Sequence, residues 1–88
     1  MNTLFDISNV EYVTDLNDST LRVEGKAVVC SYDMNTINNP TPNASGTCFT
    51  LANADSSYYG VQVAVSNKGI YARFINSGQY GAWGTIIK

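Results

Sequence analysis

The chain has 88 residues, enough for a single small domain, with a net charge of −2 and an isoelectric point near 4.6. Only 14% of residues are charged and the five cations, Arg22, Lys26, Lys68, Arg73 and Lys88, are scattered. That excludes the basic stripe needed for nucleic acid or for an anionic membrane surface, and no apolar run is long enough for membrane insertion.

Met1–Val10 carries Asp6 and no basic segment, so it does not read as a secretory signal. Apolar residues there follow no sustained period, and residues 1–13 read as an irregular lead-in with a short strand near Val10–Val13. The body of the fold is expected over residues 14–88. Thr14 to Ser19 is rich in Asp, Asn and Ser, whose side chains bond their own backbone, and predicts a turn or one helical turn. Leu21–Cys30 reads as a strand broken at Gly25-Lys26. Ser31–Gly46 is the longest loop, because Asn38-Asn39-Pro40-Thr41-Pro42-Asn43 suits neither a helix nor a central strand. Thr47–Ala52 is a further strand.

The last third carries the clearest pattern. Val61, Val63 and Val65 alternate with Gln62, Ala64 and Ser66, and two Asn-x-Gly bends, Asn67-Lys68-Gly69 and Asn76-Ser77-Gly78, separate three apolar runs. Each bend reads as a three-residue hairpin loop with Gly69 or Gly78 in the left-handed region. The fold class expected is mainly β: a small antiparallel sheet or sandwich ending in a three-stranded meander, with little or no helix. Three-residue loops would pair Val65 with Tyr71, Val63 with Arg73, Val61 with Ile75 and Tyr71 with Trp83. Val61, Val63, Val65, Tyr71, Arg73, Ile75 and Trp83 would then face the core. Gln62, Ala64, Ile70, Ala72, Phe74, Tyr80 and Ala82 would meet the N-terminal half or a neighbouring subunit.

Chemistry is sparse. There is no histidine, so no histidine base, Ser-His-Asp set or histidine metal ligand exists, and neither Cys30 nor Cys48 has a metal-ligand spacing. The two thiols could form one bridge, but two reduced core cysteines is the favoured reading. Asp15 and Asp18 are read as turn caps rather than a catalytic pair, and Asp15-x-Asn17-Asp18 lacks the glycine and terminal glutamate of a calcium loop. No enzyme, metal or cofactor is expected. What remains is a binding surface. Six of the ten aromatic residues are Tyr, which with Asn, Gln and Ser suits neutral sugars. The candidate ligand-binding residues are Tyr58, Tyr59, Arg73, Gln79, Tyr80 and Asn43. Adjacent Tyr58 and Tyr59 should point to opposite faces, one buried and one available. Arg73 is read as stacking on an aromatic ring or pairing with an acid. Trp83, Tyr71, Val61, Val63, Val65, Gly69 and Gly78 are read as structural.

Gln62-Val63-Ala64-Val65, Gly69-Ile70-Tyr71-Ala72-Arg73 and Gly78-Gln79-Tyr80-Gly81-Ala82-Trp83, in that order and spacing, resemble the closing pattern of the pyocin-knob-like domain of phage tail fibres and tailspikes. Thr14-Asp15-Leu16-Asn17 is similar to the opening of that domain, and Asn39-Pro40 with Ser45-Gly46-Thr47 to its central loop and strand. Tyr80 stands where the first of two family tryptophans is usual, and Leu21–Lys26 replaces a shorter turn. The resemblance implies a compact β-rich knob in a homotrimeric fibre, a virion component made in the host cytoplasm. It also implies host attachment, often through bacterial surface polysaccharide. A spacer or trimerisation unit without receptor contact, or an accessory carbohydrate-binding domain of a depolymerase tailspike, would carry the same pattern.

Overall fold

The computed structural model describes residues 6–41 and 43–87. It is mainly β, with seven strands in one sheet: β1 (Asp6–Tyr12), β2 (Lys26–Tyr32), β3 (Gly46–Asn53), β4 (Ser56–Ser66), β5 (Gly69–Asn76), β6 (Gln79–Tyr80) and β7 (Gly84–Ile87). Spatial order follows chain order from β1 to β6, and β7 also pairs with β5. All pairings are antiparallel except β1 with β2.

The first correction concerns the lead-in. Residues 1–5 lie outside the described residues, but 6–12 are a regular edge strand running parallel to β2, Asp6 opposite Lys26 and Val10 opposite Cys30. A parallel pair needs a crossover of about a dozen residues. Residues 13–25 provide it, so the strand's partner lies beyond the reach of a local hairpin signal. The second strand also starts later than Leu21, at Lys26. Asp18 caps a 3-10 turn over Ser19–Leu21, accepting a hydrogen bond from the Thr20 N–H, and Gly25 takes φ 72° before β2 begins.

The second correction is the register of the meander. Both bends are two-residue loops, Asn67-Lys68 between the paired Ser66 and Gly69, and Ser77-Gly78 between Asn76 and Gln79. Ser77 and Gly78 have φ of 54° and 78°, the positive pair that matches the right-handed twist of a hairpin. In the first bend the unusual backbone falls on Gly69, φ 145°. The shorter loop slides the β4–β5 pairing by one residue, so Val65 meets Ile70, Val63 meets Ala72 and Val61 meets Phe74. Because side chains alternate with period two, one residue of slip exchanges the faces of β4. Val61, Val63 and Val65 are therefore not core residues, and Val65 is 37% exposed. Their place is taken by Gln62 and Ala64, both fully buried, beside Tyr71, Arg73 and Ile75.

The core lies between this face and the chain that crosses it. Val28, Cys30, Tyr32, Cys48 and Ala64 of the sheet pack with Val13, Leu16 and Leu21 of the crossover, and Trp83 and Val23 close the cluster. The long connection between β2 and β3 is stitched onto the same layer. Thr14 and Leu16 exchange backbone hydrogen bonds with Ile37, 2.8 and 3.0 Å, and the Thr36 hydroxyl donates to the Val13 carbonyl at 3.0 Å. Cys30 and Cys48 are opposite each other in the register, buried, and free. The hydrogen bond between the two thiols and their burial push Cys48 far above the usual thiol range. Gly60 allows β3 and β4 to close: a Cβ there would lie 2.1 Å from the Leu51 carbonyl oxygen.

Candidate functional site

The slip that buries Gln62 builds a polar core around Arg73. The Arg73 side chain rises from the middle of β5 and is 5% exposed. Its Nε donates to Gln62 Oε1 at 2.8 Å, and its Nη2 donates to the Leu16 carbonyl at 3.1 Å and to Asn17 Oδ1 at 2.6 Å. Gln62 Nε2 in turn donates to the same Leu16 carbonyl at 2.8 Å and to Thr50 Oγ1 at 3.0 Å. None of the arginine's partners is a carboxylate. Burial lowers the pKa of the guanidinium, and two aromatic rings beside it offset part of that penalty. Its Cζ stands 4.6 Å from the Tyr80 ring centre and 4.4 Å from that of Trp83. Arg22 continues the stack, 5.6 Å from Tyr80 on one side and 5.8 Å from Tyr58 on the other. The order Tyr58, Arg22, Tyr80, Arg73, Trp83 alternates ring and cation and pins the end of the crossover to the last hairpin. Trp83 reaches it because residues 81–83 leave the ladder between β6 and β7. Its indole N–H donates to the Asn38 carbonyl at 2.8 Å. It therefore packs on Arg73, on the opposite side of the sheet from Val61, Val63 and Val65.

The other face and the far end of the hairpins hold the accessible chemistry. Phe74 projects from β5 on the uncovered side and is 76% exposed. A concavity of about 450 Å³ lies to one side, lined by Leu51, Asn53, Tyr59, Gly60, Val61, Phe74 and Ile75. A second, of about 520 Å³, lies to the other, lined by Phe74, Asn76, Ser77, Gln79, Tyr80 and Gly81. The Tyr59 and Ser77 hydroxyls stand 3.2 Å apart and tie the two rims together. Neither lining contains a charged side chain. No protein-family model, curated protein or solved structure matches this chain.

The expected ligand-binding residues divide accordingly. Tyr59, Gln79 and Tyr80 line the two hollows around Phe74. Tyr58 lies on the opposite face of β4 from Tyr59, as strand alternation requires, but neither ring is buried: they are 59% and 44% exposed. Both lie near the start of β4. Arg73 is withdrawn into the core and is not available to a ligand. Asn43, exposed at φ 65° in the β2–β3 connection, lines neither hollow. Tyr80 is half-buried, its hydroxyl 3.4 Å from the Asp18 carbonyl, and burial raises its pKa. Phe74, Asn53, Asn76 and Ser77 were not legible as site residues. The sequence pattern puts Phe74 on the face expected to meet the N-terminal half or a neighbouring subunit; it lies on that face in the structure, where no part of the described chain covers it. Among the described residues no group of three His, Cys, Asp or Glu side chains could hold a metal ion.

Proposed function

We propose that this chain is a non-catalytic attachment module that holds a neutral glycan at the Phe74 end of its sheet, serving as a distal part of a phage or phage-like tail fibre. One observation carries the binding half of this reading. An exposed phenyl ring divides two uncharged hollows whose rims offer the Asn53, Asn76 and Gln79 amides and the Tyr59 and Ser77 hydroxyls. A sugar ring has an apolar C–H face that stacks on an aromatic plane and a rim of hydroxyls that amides bond. The absence of charge from the linings suits a neutral polysaccharide better than an acidic one. The fibre half is supported by the ordered motifs of residues 62–83.

The test is a titration of the purified chain with neutral bacterial polysaccharides, by glycan array and then calorimetry. Phe74→Ala should weaken binding about tenfold or more, since one buried aromatic contact is worth about 1.5 kcal/mol or more. Tyr59→Phe should weaken it less, and neither should lower the melting temperature by more than a few degrees. Binding that survives Phe74→Ala unchanged overturns the site. A folded chain that binds no polysaccharide overturns the attachment role and leaves the spacer reading, which the apolar, uncovered sheet face favours.

A further inference from the structure

The two hollows beside Phe74 lie in line across the strands. Leu51 of β3 is opposite Val61 of β4, Val61 is opposite Phe74 of β5, and the Gly81 N–H donates to the Phe74 carbonyl at 2.9 Å. The first hollow reaches from Phe74 back to Leu51 and Asn53 on β3, and the second reaches forward to Gln79 on β6 and to Gly81. Strands β3 to β6 are consecutive neighbours in the sheet. At about 4.8 Å per strand spacing the two hollows together cover about 14 Å, which is longer than a single sugar ring. Each alone, at about 450 and 520 Å³, has the size of a small-molecule site. The polar groups are shared out between them, Asn53 and Tyr59 in the first, Asn76, Ser77 and Gln79 in the second. Both are open clefts rather than enclosed cavities.

We infer that the site takes an internal segment of a linear polysaccharide, with one sugar unit in each hollow and the linkage between them passing over Phe74. This rests on the glycan reading above and fixes the ligand class within it. A lone sugar in one hollow leaves the other side of the Phe74 ring wet and the amides of the second hollow unused. Two consecutive units cover the ring from both sides, and the apolar area withdrawn from water grows accordingly. Each amide both donates and accepts, so each hollow can bond the hydroxyls of its own unit. The second unit is tethered to the first, and its binding is therefore an intramolecular step at high effective concentration. Affinity then climbs steeply with chain length until both hollows are filled and levels off beyond. Because the clefts are open, the chain continues past them, and neither end of the polymer is needed for recognition.

The experiment is calorimetric titration of the full chain with a neutral bacterial polysaccharide retained on the glycan array, cut by partial acid hydrolysis into size fractions from one sugar unit to about six. Affinity should rise about tenfold or more from one unit to three, and change less than about threefold from three to six. Asn53→Ala in the first hollow and Gln79→Ala in the second should each weaken the longest fraction about threefold or more, the loss of one hydrogen-bonding group. Both side chains are exposed, so the melting temperature should stay within a few degrees of wild type. Borohydride reduction of the chain end in the longest fraction should leave its affinity unchanged. Equal affinity for one unit and for the longest fraction overturns the inference and leaves the glycan site standing, as does a loss confined to one of the two variants. Binding lost on reduction of the chain end shows end recognition and overturns the internal segment. No binding at any length overturns the glycan reading, and this inference with it.

Discussion

The two faces of the sheet differ in what covers them: the crossover and the β2–β3 connection bury one face, apolar and polar side chains alike, and leave the other open. The covered face accommodates an arginine and a glutamine because they bond each other and the hydrogen bonds leaving the pair end on oxygens of Leu16, Asn17 and Thr50. The open face is made of valine, leucine, isoleucine and phenylalanine, and owes its exposure to topology. The crossover and the β2–β3 connection both pass over the same side. A polar network inside a small core is directional, so it specifies how the crossover docks more tightly than interchangeable aliphatic contacts would. An apolar open face, by contrast, is suited to adapting to another surface.

The largest effect that would sharpen this comparison is a pair of truncations measured by urea denaturation at low protein concentration. Leu21→Ala, at a fully buried position beneath the sheet, should cost about 3 kcal/mol, because it leaves a cavity that the core cannot refill. Val61→Ala, on the half-exposed face, should cost about 1 kcal/mol or less. Equal losses would mean that both faces are buried in the single folded copy, and would erase the distinction between them.

Arg73→Lys comes next, with an expected loss of about 2 kcal/mol. An ammonium keeps the charge but lacks the planar fork that reaches Gln62, Leu16 and Asn17 at once, and it cannot lie flat between Tyr80 and Trp83. The accompanying sign is a red shift of Trp83 emission as the indole loses its stacking partner. Stability within about 0.5 kcal/mol of wild type would mean that the alternating stack is an arrangement without energetic weight.

Much of this architecture was legible in the residues, and the rest was hidden by identifiable causes. The alternation through Val61–Val65 and the glycine-closed bends gave the meander, and the short polar side chains of Asp15 and Asp18 gave the turns they cap, Asp15 Oδ1 accepting from the Asn17 N–H at 2.8 Å. The Asn-x-Gly pattern did not distinguish two-residue from three-residue loops, and that single residue decided which way Val61, Val63, Val65 and Gln62 face. A valine-rich stripe is ordinarily the buried one, so hydropathy pointed the same wrong way. β1 escaped because its partner strand is reached only through a crossover. Arg73 was expected to stack on an aromatic ring or pair with an acid, and its stacking on Tyr80 and Trp83 matches the first option. Arg22 gave no signal, since its role depends on where residues 19–24 dock.

The smallest expected effect tests how the covering layer is anchored at its start. Asp18 accepts hydrogen bonds from the Thr20 N–H at 2.9 Å and from the Thr20 hydroxyl at 2.8 Å, and these hold its carboxyl below the usual aspartate range against a weak opposing effect of burial. Its folded pKa is lower than its unfolded one. The stabilisation it contributes is therefore complete above the unfolded value of about 3.9 and is lost as pH falls through the lower folded value. Asp18→Ala should cost about 0.5–1 kcal/mol near neutral pH, the range for losing a cap. Asp18→Asn should retain most of the stability near neutral pH, because its amide oxygen still accepts from Thr20, yet remove this group's part of the acid dependence below about pH 4. Thermal melts of the three proteins between neutral and acid pH would separate the cap from the charge. An acid dependence identical in wild type and Asp18→Asn would show that the hydrogen bonds to Thr20 do not distinguish the folded carboxylate from the unfolded one. The docking of the crossover would then owe nothing to the Asp18 charge and rest on its apolar packing, its backbone bonds to Ile37 and the Arg73 network.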